Sequence, residues 1–435
     1  MKAKKTVQNQ LLIITAFFVI FIGFIIISFG IRHSRNDYYN IITFFFSVFL
    51  FLYGLTHFLK NGLQISNAFL ISFYFFLALN CFNVSLLQKP KTLTDIYFYF
   101  FGPLMFYLII NYLEKATIKL KYVNIKLSYE LVCKGFLIMF IALYGYIFKT
   151  KGIRFFSNTL KSEQQSLYVV SGISGLIDVL AWLLLMLSFS TKKKVLKILM
   201  ILCPILFTFF SASRTLTMRM LIFMGCYVFY SKGKKAANSK SIFRAMFFGV
   251  GVIVGFGVWG NYREKVSGFM TISISAALQS VSNNTIFDWL YAYSAFNYDV
   301  IKQVVIEKNF PFRFRALLRP ILRVVGGSSA IGQYNKIVSS EVGSIKGFNG
   351  STFLLHPIFE LKYFYFIELF ILAVIVAIMA KISKTLNFRG GYVYYIMASV
   401  MTVFGEYYLD INGFYAVVMG IIICYLIRPT MKFES

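Results

Sequence analysis

Long apolar runs separated by short polar connections make up most of this chain. Twelve runs each approach the roughly 20 residues that a helix needs to cross the hydrocarbon core of a bilayer. They lie at residues 11–31, 38–59, 67–87, 96–113, 131–149, 167–190, 195–212, 215–231, 242–260, 358–380, 391–409 and 412–428. The pattern therefore predicts an all-α polytopic membrane protein with about 12 transmembrane helices.

The first of these runs follows the lysine-containing start MKAKK. It is longer than the core of a signal peptide and lacks a small-residue cleavage site, so we expect an uncleaved first span. The run at 215–231 is short and contains Arg219.

Residues 261–357 form the only long stretch that is too polar to cross a membrane. This stretch divides the chain into an N-terminal part, 1–260, with about nine spans, and a C-terminal part, 358–435, with about three. We expect the stretch to be one large extracytoplasmic loop held over a cavity, and function to lie there.

Composition supports a membrane protein, because 58% of the residues are hydrophobic and only 14% are charged, against about 25% charged in soluble domains. The net charge of +28 is explained by short cytoplasmic loops that collect basic residues, so no nucleic-acid partner is indicated. The lysines of these loops alternate with the spans and predict that both termini are cytoplasmic. They are Lys60, Lys115, Lys119, Lys121, Lys126, Lys192, Lys193, Lys194, Lys197, Lys232, Lys234, Lys235, Lys240, Lys381 and Lys384.

The arginines are not distributed as the lysines are, and only Arg244, Arg389 and Arg428 fall on the predicted cytoplasmic side. Ten arginines fall on or near the predicted outer side: Arg32, Arg35, Arg154, Arg214, Arg219, Arg263, Arg313, Arg315, Arg319 and Arg323. Guanidinium is a planar fork suited to phosphate or carboxylate, so this bias indicates an anionic, lipid-borne ligand. The alternative is a loop that lies against lipid headgroups.

The loop arginines have a helical spacing. Arg315, Arg319 and Arg323 repeat every four residues and would share one face of an amphipathic helix in the membrane interface. Pro320 is expected to kink this helix. The face is either a diphosphate-binding surface or a solvated, headgroup-facing side.

Several charged residues fall within or beside the spans. Arg214 and Arg219 lie where two spans meet in SASRTLTMR; an arginine at membrane depth costs about 2–3 kcal/mol, so it normally faces a cavity or a partner. Asp178 lies deep in its span and is a functional candidate, with an ion pair or a transporter's proton path as alternatives. Glu368 raises the same question in the span that follows the loop. The weaker carboxylate candidates are Asp288, Asp299, Glu264 and Asp410.

His356 and Glu360 are four residues apart at the start of the span after the loop. They would share a helix face at the membrane surface, where either group could act as a general base. The alternative for His356 is a capping or interface role. The five cysteines lie in apolar runs and only three histidines are present, so neither a metal site nor a cofactor is expected.

Three stretches resemble the Wzy-type O-antigen and capsule oligosaccharide repeat-unit polymerases. FFSASRTLTMRMLIF is similar to that family's apolar span, Ser-rich turn and arginine, and YAYSAFNYDVIKQVV with the Arg-rich segment is similar to its large periplasmic loop. GFNGSTFLLHPIFELKYFYFIELFI is similar to the return of that loop, with Asn349, Thr352, Phe353, Phe359 and Glu360 at the family's positions.

This resemblance implies an inverting glycosyltransferase of GT-C-like architecture in the bacterial cytoplasmic (inner) membrane. It would join undecaprenyl-diphosphate-linked repeat units at the outer face, without metal or cofactor, beside a chain-length regulator and a flippase. The diphosphates would be bound by Arg214, Arg219, Arg263, Arg313, Arg315, Arg319 and Arg323. His356 or Glu360 would accept the proton of the acceptor hydroxyl.

Other classes remain open from the sequence. A lipid-linked oligosaccharide flippase would have a similar number of spans, but repeated halves with broken helices are expected of a transporter and are not visible here. An O-antigen ligase of the same architecture would transfer to a different acceptor. A non-catalytic scaffold would leave the outward arginines unexplained.

Overall fold

The computed structural model describes residues 38–88, 91–115, 127–153, 172–211, 214–233, 274–282, 284–299 and 352–427, with a few single positions between them. Within these ranges the secondary structure is helical and contains no β-strands. The helices are α1 (Tyr38–Asn61), α2 (Ile65–Asn80), α3 (Leu93–Lys115), α4 (Tyr129–Lys151), α5 (Ile173–Ser188), α6 (Lys194–Phe210), α7 (Arg214–Lys232), α8 (Ile274–Leu278), α9 (Thr285–Tyr293), α10 (Leu355–Leu361), α11 (Tyr365–Thr385), α12 (Arg389–Val400) and α13 (Ile411–Leu426). Residues Tyr97–Phe101 of α3 are π-helical.

Four helical segments among the described residues are long and apolar enough to cross a membrane: α1, α3, α4 and the continuous stretch of α10 and α11. Helices α2, α5 and α13 are apolar but shorter. These lengths and compositions fit a helical membrane protein. The total of twelve spans and the GT-C-like arrangement remain predictions. The predicted run at 11–31, and all but a few single positions of the run at 242–260, lie outside the described residues.

Two helices form the centre of the bundle. Every side chain of α5 from Leu180 to Leu187 is fully buried, and so is every side chain of α12 from Val393 to Ala398. Gly390 permits close contact between them, because a Cβ atom there would overlap the carbonyl group of Met186. Among the described helices, α2, α4, α6, α7, α11 and α13 each contact one or both members of this pair.

The structure differs from the predicted runs near the C-terminus. The run at 391–409 is helical only to Val400, and residues 401–410 form a non-helical segment, here called the 401–410 segment. Its main-chain carbonyls accept hydrogen bonds from other segments. Phe353 donates to the carbonyl of Thr402 at 2.8 Å, and Asn297 donates to the carbonyl of Val403 at 2.7 Å. An uninterrupted helix would use these carbonyls internally. The run at 358–380 also differs, because α10 and α11 are separated by a 3₁₀ turn whose first residue, Lys362, has φ of 50°.

Lys60, Lys115 and Lys232 lie in the last turns of α1, α3 and α7 at one end of the bundle, which is the predicted cytoplasmic end. Lys149 and Lys151, in the last turn of α4, lie at the opposite end. Glu114 joins helices at this end by accepting hydrogen bonds from the hydroxyls of Ser66 and Tyr392, each at 2.8 Å. These contacts place the start of α2, the end of α3 and the start of α12 together. We call the opposite end the outer end.

At the outer end, the first part of the predicted loop packs on the helix bundle. Asp299 accepts hydrogen bonds from Asn80 at 2.5 Å and Gln88 at 2.6 Å, and Tyr291 donates to Gln88 at 2.7 Å. Lys91 completes this buried network by donating to the Asn80 side-chain oxygen. The network fixes α9 and the residues after it against the end of α2.

Candidate functional site

Arg219 lies in the second turn of α7, with its guanidinium between two aromatic rings. Its central carbon is 4.4 Å from the ring centroid of Tyr407 and 5.3 Å from that of Trp182. The residue is only 7% exposed. Cation–π contacts of this kind become stronger when the cation is removed from water, so both rings favour the charged guanidinium in this position.

Asp410 is the ionic partner of Arg219. The Arg219 NH2 group donates to Asp410 Oδ2 at 2.8 Å, and the same oxygen accepts from the main-chain N–H of Gly413 at 3.2 Å. Asp410 is thereby the N-cap of α13. The sequence analysis expected a cavity or a partner for Arg219, and the structure provides this partner. Arg219 Nε has no hydrogen-bond partner among the described residues.

Asp178, predicted deep in its span, lies in the second turn of α5. Asn412 donates to its carboxylate at 3.3 Å. Asp410 and Asn412 are two residues apart, so the start of α13 contacts a charged residue of α7 and another of α5. Asp178 therefore belongs to the same outer-end region as Arg219.

Three carboxylates form the acidic side of this region. Glu360 in α10 and Glu368 in the first turn of α11 are 5% and 1% exposed. Glu368 lies close enough to Glu360 and to Glu406 to interact electrostatically with both. Glu406 Oε1 also accepts from the main-chain N–H of Leu409 at 2.8 Å. We call Glu360, Glu368 and Glu406 the carboxylate group.

Tyr407 is the neutral aromatic residue that contacts Arg219. Burial raises the pKa of its phenol, while Arg219 opposes that change and the carboxylates of Asp410 and Glu406 add to it. Its hydroxyl group is therefore neutral at physiological pH, and the ring contacts the guanidinium without adding a charge.

His356 and Glu360 both lie in α10, one helical turn apart, as the sequence predicted. Thr352 is fully buried just before this helix, and its hydroxyl accepts from the main-chain N–H of Leu354 at 3.3 Å. Because Phe353 hydrogen bonds to Thr402, the loop returns to the bundle beside the start of the 401–410 segment.

Asp288 occupies a separate position in α9. It is fully buried and accepts hydrogen bonds from the hydroxyls of Ser275 at 2.6 Å, Ser280 at 2.6 Å and Ser282 at 2.5 Å. This arrangement joins α8 to α9 and uses the carboxylate for structure within the loop. The hydrogen bonds described for Asp288 do not reach the carboxylate group.

Most of the arginines that are predicted to bind diphosphate lie outside the described residues. Arg263, Arg313, Arg315, Arg319, Arg323 and Asn349 lie outside the described residues, and only the main chain of Arg214, the first residue of α7, is described. Two described positions of the Arg-rich stretch do reach the site. The main chain of Leu317 is next to Glu368, and Tyr415 donates to the carbonyl of Pro320 at 2.5 Å.

The sequence analysis assigned no role to Glu406 and Tyr407, and it treated Asp410 only as a minor carboxylate. The stretch GEYYLDING contains the available signal, since two acidic residues between two apolar runs are unusual in a membrane protein. Assigning residues 391–409 to one helix concealed this signal. Within the described part of the chain, no three His, Cys, Asp or Glu side chains are arranged to hold a metal ion.

Fold and site together define a helical membrane protein with oppositely charged buried groups at one end of its bundle. No family model, curated protein or solved structure matches the chain. Its function is therefore argued from the site.

Proposed function

We propose that this protein is a glycosyltransferase that polymerises lipid-diphosphate-linked oligosaccharide repeat units. The reaction takes place at the outer face of the cytoplasmic membrane and produces an O-antigen or a capsular polysaccharide. One observation carries the proposal: buried carboxylates and a buried arginine gather at the outer end, where the long polar loop returns to the bundle. Ionisable residues at membrane depth mark functional sites.

The reaction requires a base for the acceptor hydroxyl and a cation that stabilises the leaving diphosphate, and the site contains both carboxylates and guanidinium groups. A carboxylate can take the proton of an acceptor hydroxyl, while guanidinium groups can stabilise the negative charge that develops on a leaving diphosphate. In this chain, Glu360 and His356 lie where the loop returns, and Arg219 is paired with Asp410 at the end of the 401–410 segment. The resemblance of these same stretches to Wzy-type polymerases adds independent support.

The roles of the other arginines come from the resemblance. Arg214, Arg263, Arg313, Arg315, Arg319 and Arg323 would bind the donor and acceptor diphosphates, and the Arg219–Asp410 pair holds the 401–410 segment. Glu360 or His356 accepts the proton. Diphosphate is a good leaving group, so the proposed chemistry requires no metal or cofactor. A flippase that supplies the lipid-linked units and a chain-length regulator are the proposed partners.

The test uses purified protein in detergent with a lipid-diphosphate-linked repeat unit and neither nucleotide sugar nor added metal. A ladder of longer lipid-linked products is expected. Unchanged substrate, from folded protein given its cognate repeat unit, would contradict the proposal. Transfer to a different acceptor, with no ladder, would instead identify a ligase of the same architecture.

A lipid-linked oligosaccharide flippase is the second candidate, and the burial of Glu368 in a span is the observation that favours it. Intramembrane carboxylates often belong to proton pathways in transporters. Vesicles that contain the purified protein and a labelled lipid-linked repeat unit separate the two functions. A flippase would move the label between leaflets without lengthening it.

A further inference from the structure

The described positions of the Arg-rich stretch are docked on the outer end of the bundle. Leu317 packs against the main hydrophobic core, and Pro320 is buried. The carbonyl of Pro320 accepts a hydrogen bond at 2.5 Å from the hydroxyl of Tyr415 in the second turn of α13. The main chain of Leu317 lies next to Glu368 in the first turn of α11. Two helices of the bundle therefore hold this part of the loop from one side.

Two apolar side chains of the same stretch are exposed instead. Leu318 is 43% exposed and Ile321 is 59% exposed. The main-chain N–H of Leu318 donates to the carbonyl of Phe314 at 3.0 Å, which is the hydrogen-bond pattern of an α-helix. Residues three apart on a helix are neighbours on its surface. Leu318 and Ile321 therefore form one apolar surface, here called the Leu318–Ile321 surface, on a different side from Leu317 and Pro320.

The two docking contacts fix the depth of this surface along the bundle. Tyr415 is the fifth residue of α13 and Glu368 is the fourth residue of α11, which places both contacts about 5–6 Å inside the helix ends at the rise of an α-helix. The stretch of α10 and α11 is long and apolar enough to cross a membrane. An interfacial helix buries its apolar face about 5–10 Å into the boundary between headgroups and acyl chains. The docked stretch therefore lies beside the outermost helical turns, at the depth of this boundary.

We propose that the Leu318–Ile321 surface inserts into the outer leaflet of the membrane, between the lipid headgroups and the first part of the acyl chains. Charge complementarity supports this partner, because the same stretch contains Arg315, Arg319 and Arg323, and guanidinium groups bind phosphate well. The predicted extracytoplasmic loop is then not surrounded by water along its whole length. At this stretch it lies between the helix bundle on one side and the lipid on another.

This inference goes beyond the proposed function and does not depend on it. A polymerase and a flippase with this fold would both place Leu318 and Ile321 in the lipid. For a polymerase the contact has a further consequence, because it holds the Arg-rich stretch at the level of the lipid phosphates. The diphosphate of a lipid-linked substrate lies at the same level.

Depth-dependent fluorescence quenching tests the insertion. Leu318→Cys and Ile321→Cys are each labelled with an environment-sensitive fluorophore and reconstituted into vesicles of phosphatidylethanolamine and phosphatidylglycerol. Some of the lipids carry a spin label, either near the headgroup or deep in the acyl chain. Both positions should show blue-shifted emission and stronger quenching by the shallow spin label than by the deep one. Wild-type protein taken through the same labelling gives the background from the five native cysteines.

Two further positions calibrate the measurement. Phe49→Cys, in the middle of α1 and 65% exposed, should be quenched most strongly by the deep spin label. Thr285→Cys, an exposed loop position at the start of α9, should emit as in water and be quenched little by either label. If Leu318→Cys and Ile321→Cys both behave like Thr285→Cys, the surface lies in water and the proposal is wrong. Because the two positions are labelled separately, either folded variant alone decides the result.

Discussion

The guanidinium of Arg219 and the carboxylate of Asp410 meet at 2.8 Å, and they connect the second turn of α7 to the first residue before α13. The side chain of Arg219 is 8% exposed, whereas that of Asp410 is 26% exposed. A buried ion pair is costly to form, but removal of one partner is more costly still, because it leaves an unpaired buried charge. The pair therefore fixes the 401–410 segment in place.

Substitution of Asp410 by Ala should destabilise the protein by about 3 kcal/mol, the lower end of the range for a broken buried pair. We expect the lower end of this range because Asp410 is partly exposed, so that water can reach the ion pair. Thermal unfolding in detergent measures this loss. The matched control is Glu130→Ala, which breaks the 3.1 Å pair with Lys193, a side chain that is 61% exposed. Its cost should be below about 1 kcal/mol, and equal losses for the two variants would contradict the assignment.

Gly390→Ala should also destabilise the protein, because the added methyl group overlaps the main chain of Met186 at the centre of the bundle. Overpacking in a core costs about 1–3 kcal/mol. Gly135 in α4 is the matched control, since a Cβ atom there meets no neighbour within 4 Å. Gly135→Ala should be neutral or slightly stabilising. The ratio of folded to aggregated protein after heating compares the two variants.

Asp288→Ala should loosen the first part of the loop, because three serine hydroxyls lose their shared acceptor. Hydrogen bonds to charged groups contribute about 1.5–3 kcal/mol each, so this variant should lose more stability than Ser282→Ala alone. Limited proteolysis near α8 and α9 measures the effect. If Asp288→Ala and Ser282→Ala are cleaved at equal rates, the carboxylate does not organise this region.

Arg214→Ala and Arg319→Ala should each abolish polymer formation while the protein still inserts into the membrane. Lysine at either position should restore only part of the activity, because the bidentate fork is lost. The length distribution of polysaccharide from cells reports the result. Arg244→Ala, on the predicted cytoplasmic side, is the control and should make normal polymer. Normal chain lengths from both outer variants would remove these arginines from the proposed site.

The helices themselves could largely be predicted, because apolar runs of span length have few alternatives in a bilayer. The runs at 38–59, 131–149 and 195–212 agree with α1, α4 and α6 within two residues at each end. The run at 391–409 was wrong beyond Val400. Hydropathy identifies Val403 as apolar but does not reveal that its carbonyl accepts a hydrogen bond from Asn297 in the loop.

The candidate site could be predicted only in part. The sequence placed His356 and Glu360 on one helix turn, because that relationship is local. It could not pair Arg219 with Asp410 or bring Glu406 beside Glu368, because these contacts depend on how distant helices pack. A charged residue in an apolar run indicates that a partner exists but does not identify which residue it is.

The Arg219–Asp410 pair also has a consequence for biosynthesis. The two residues are 191 positions apart, so at about 5–20 residues per second the ribosome needs about 10–40 s after Arg219 to reach Asp410. During that interval the arginine must be held by water, lipid phosphate or the insertion machinery. Arrival of Asp410 then completes the packing of α7. A chain that stops before α13 would retain an unpaired cation in its membrane region. Such a charge would distinguish the incomplete protein from the assembled one for quality-control proteases.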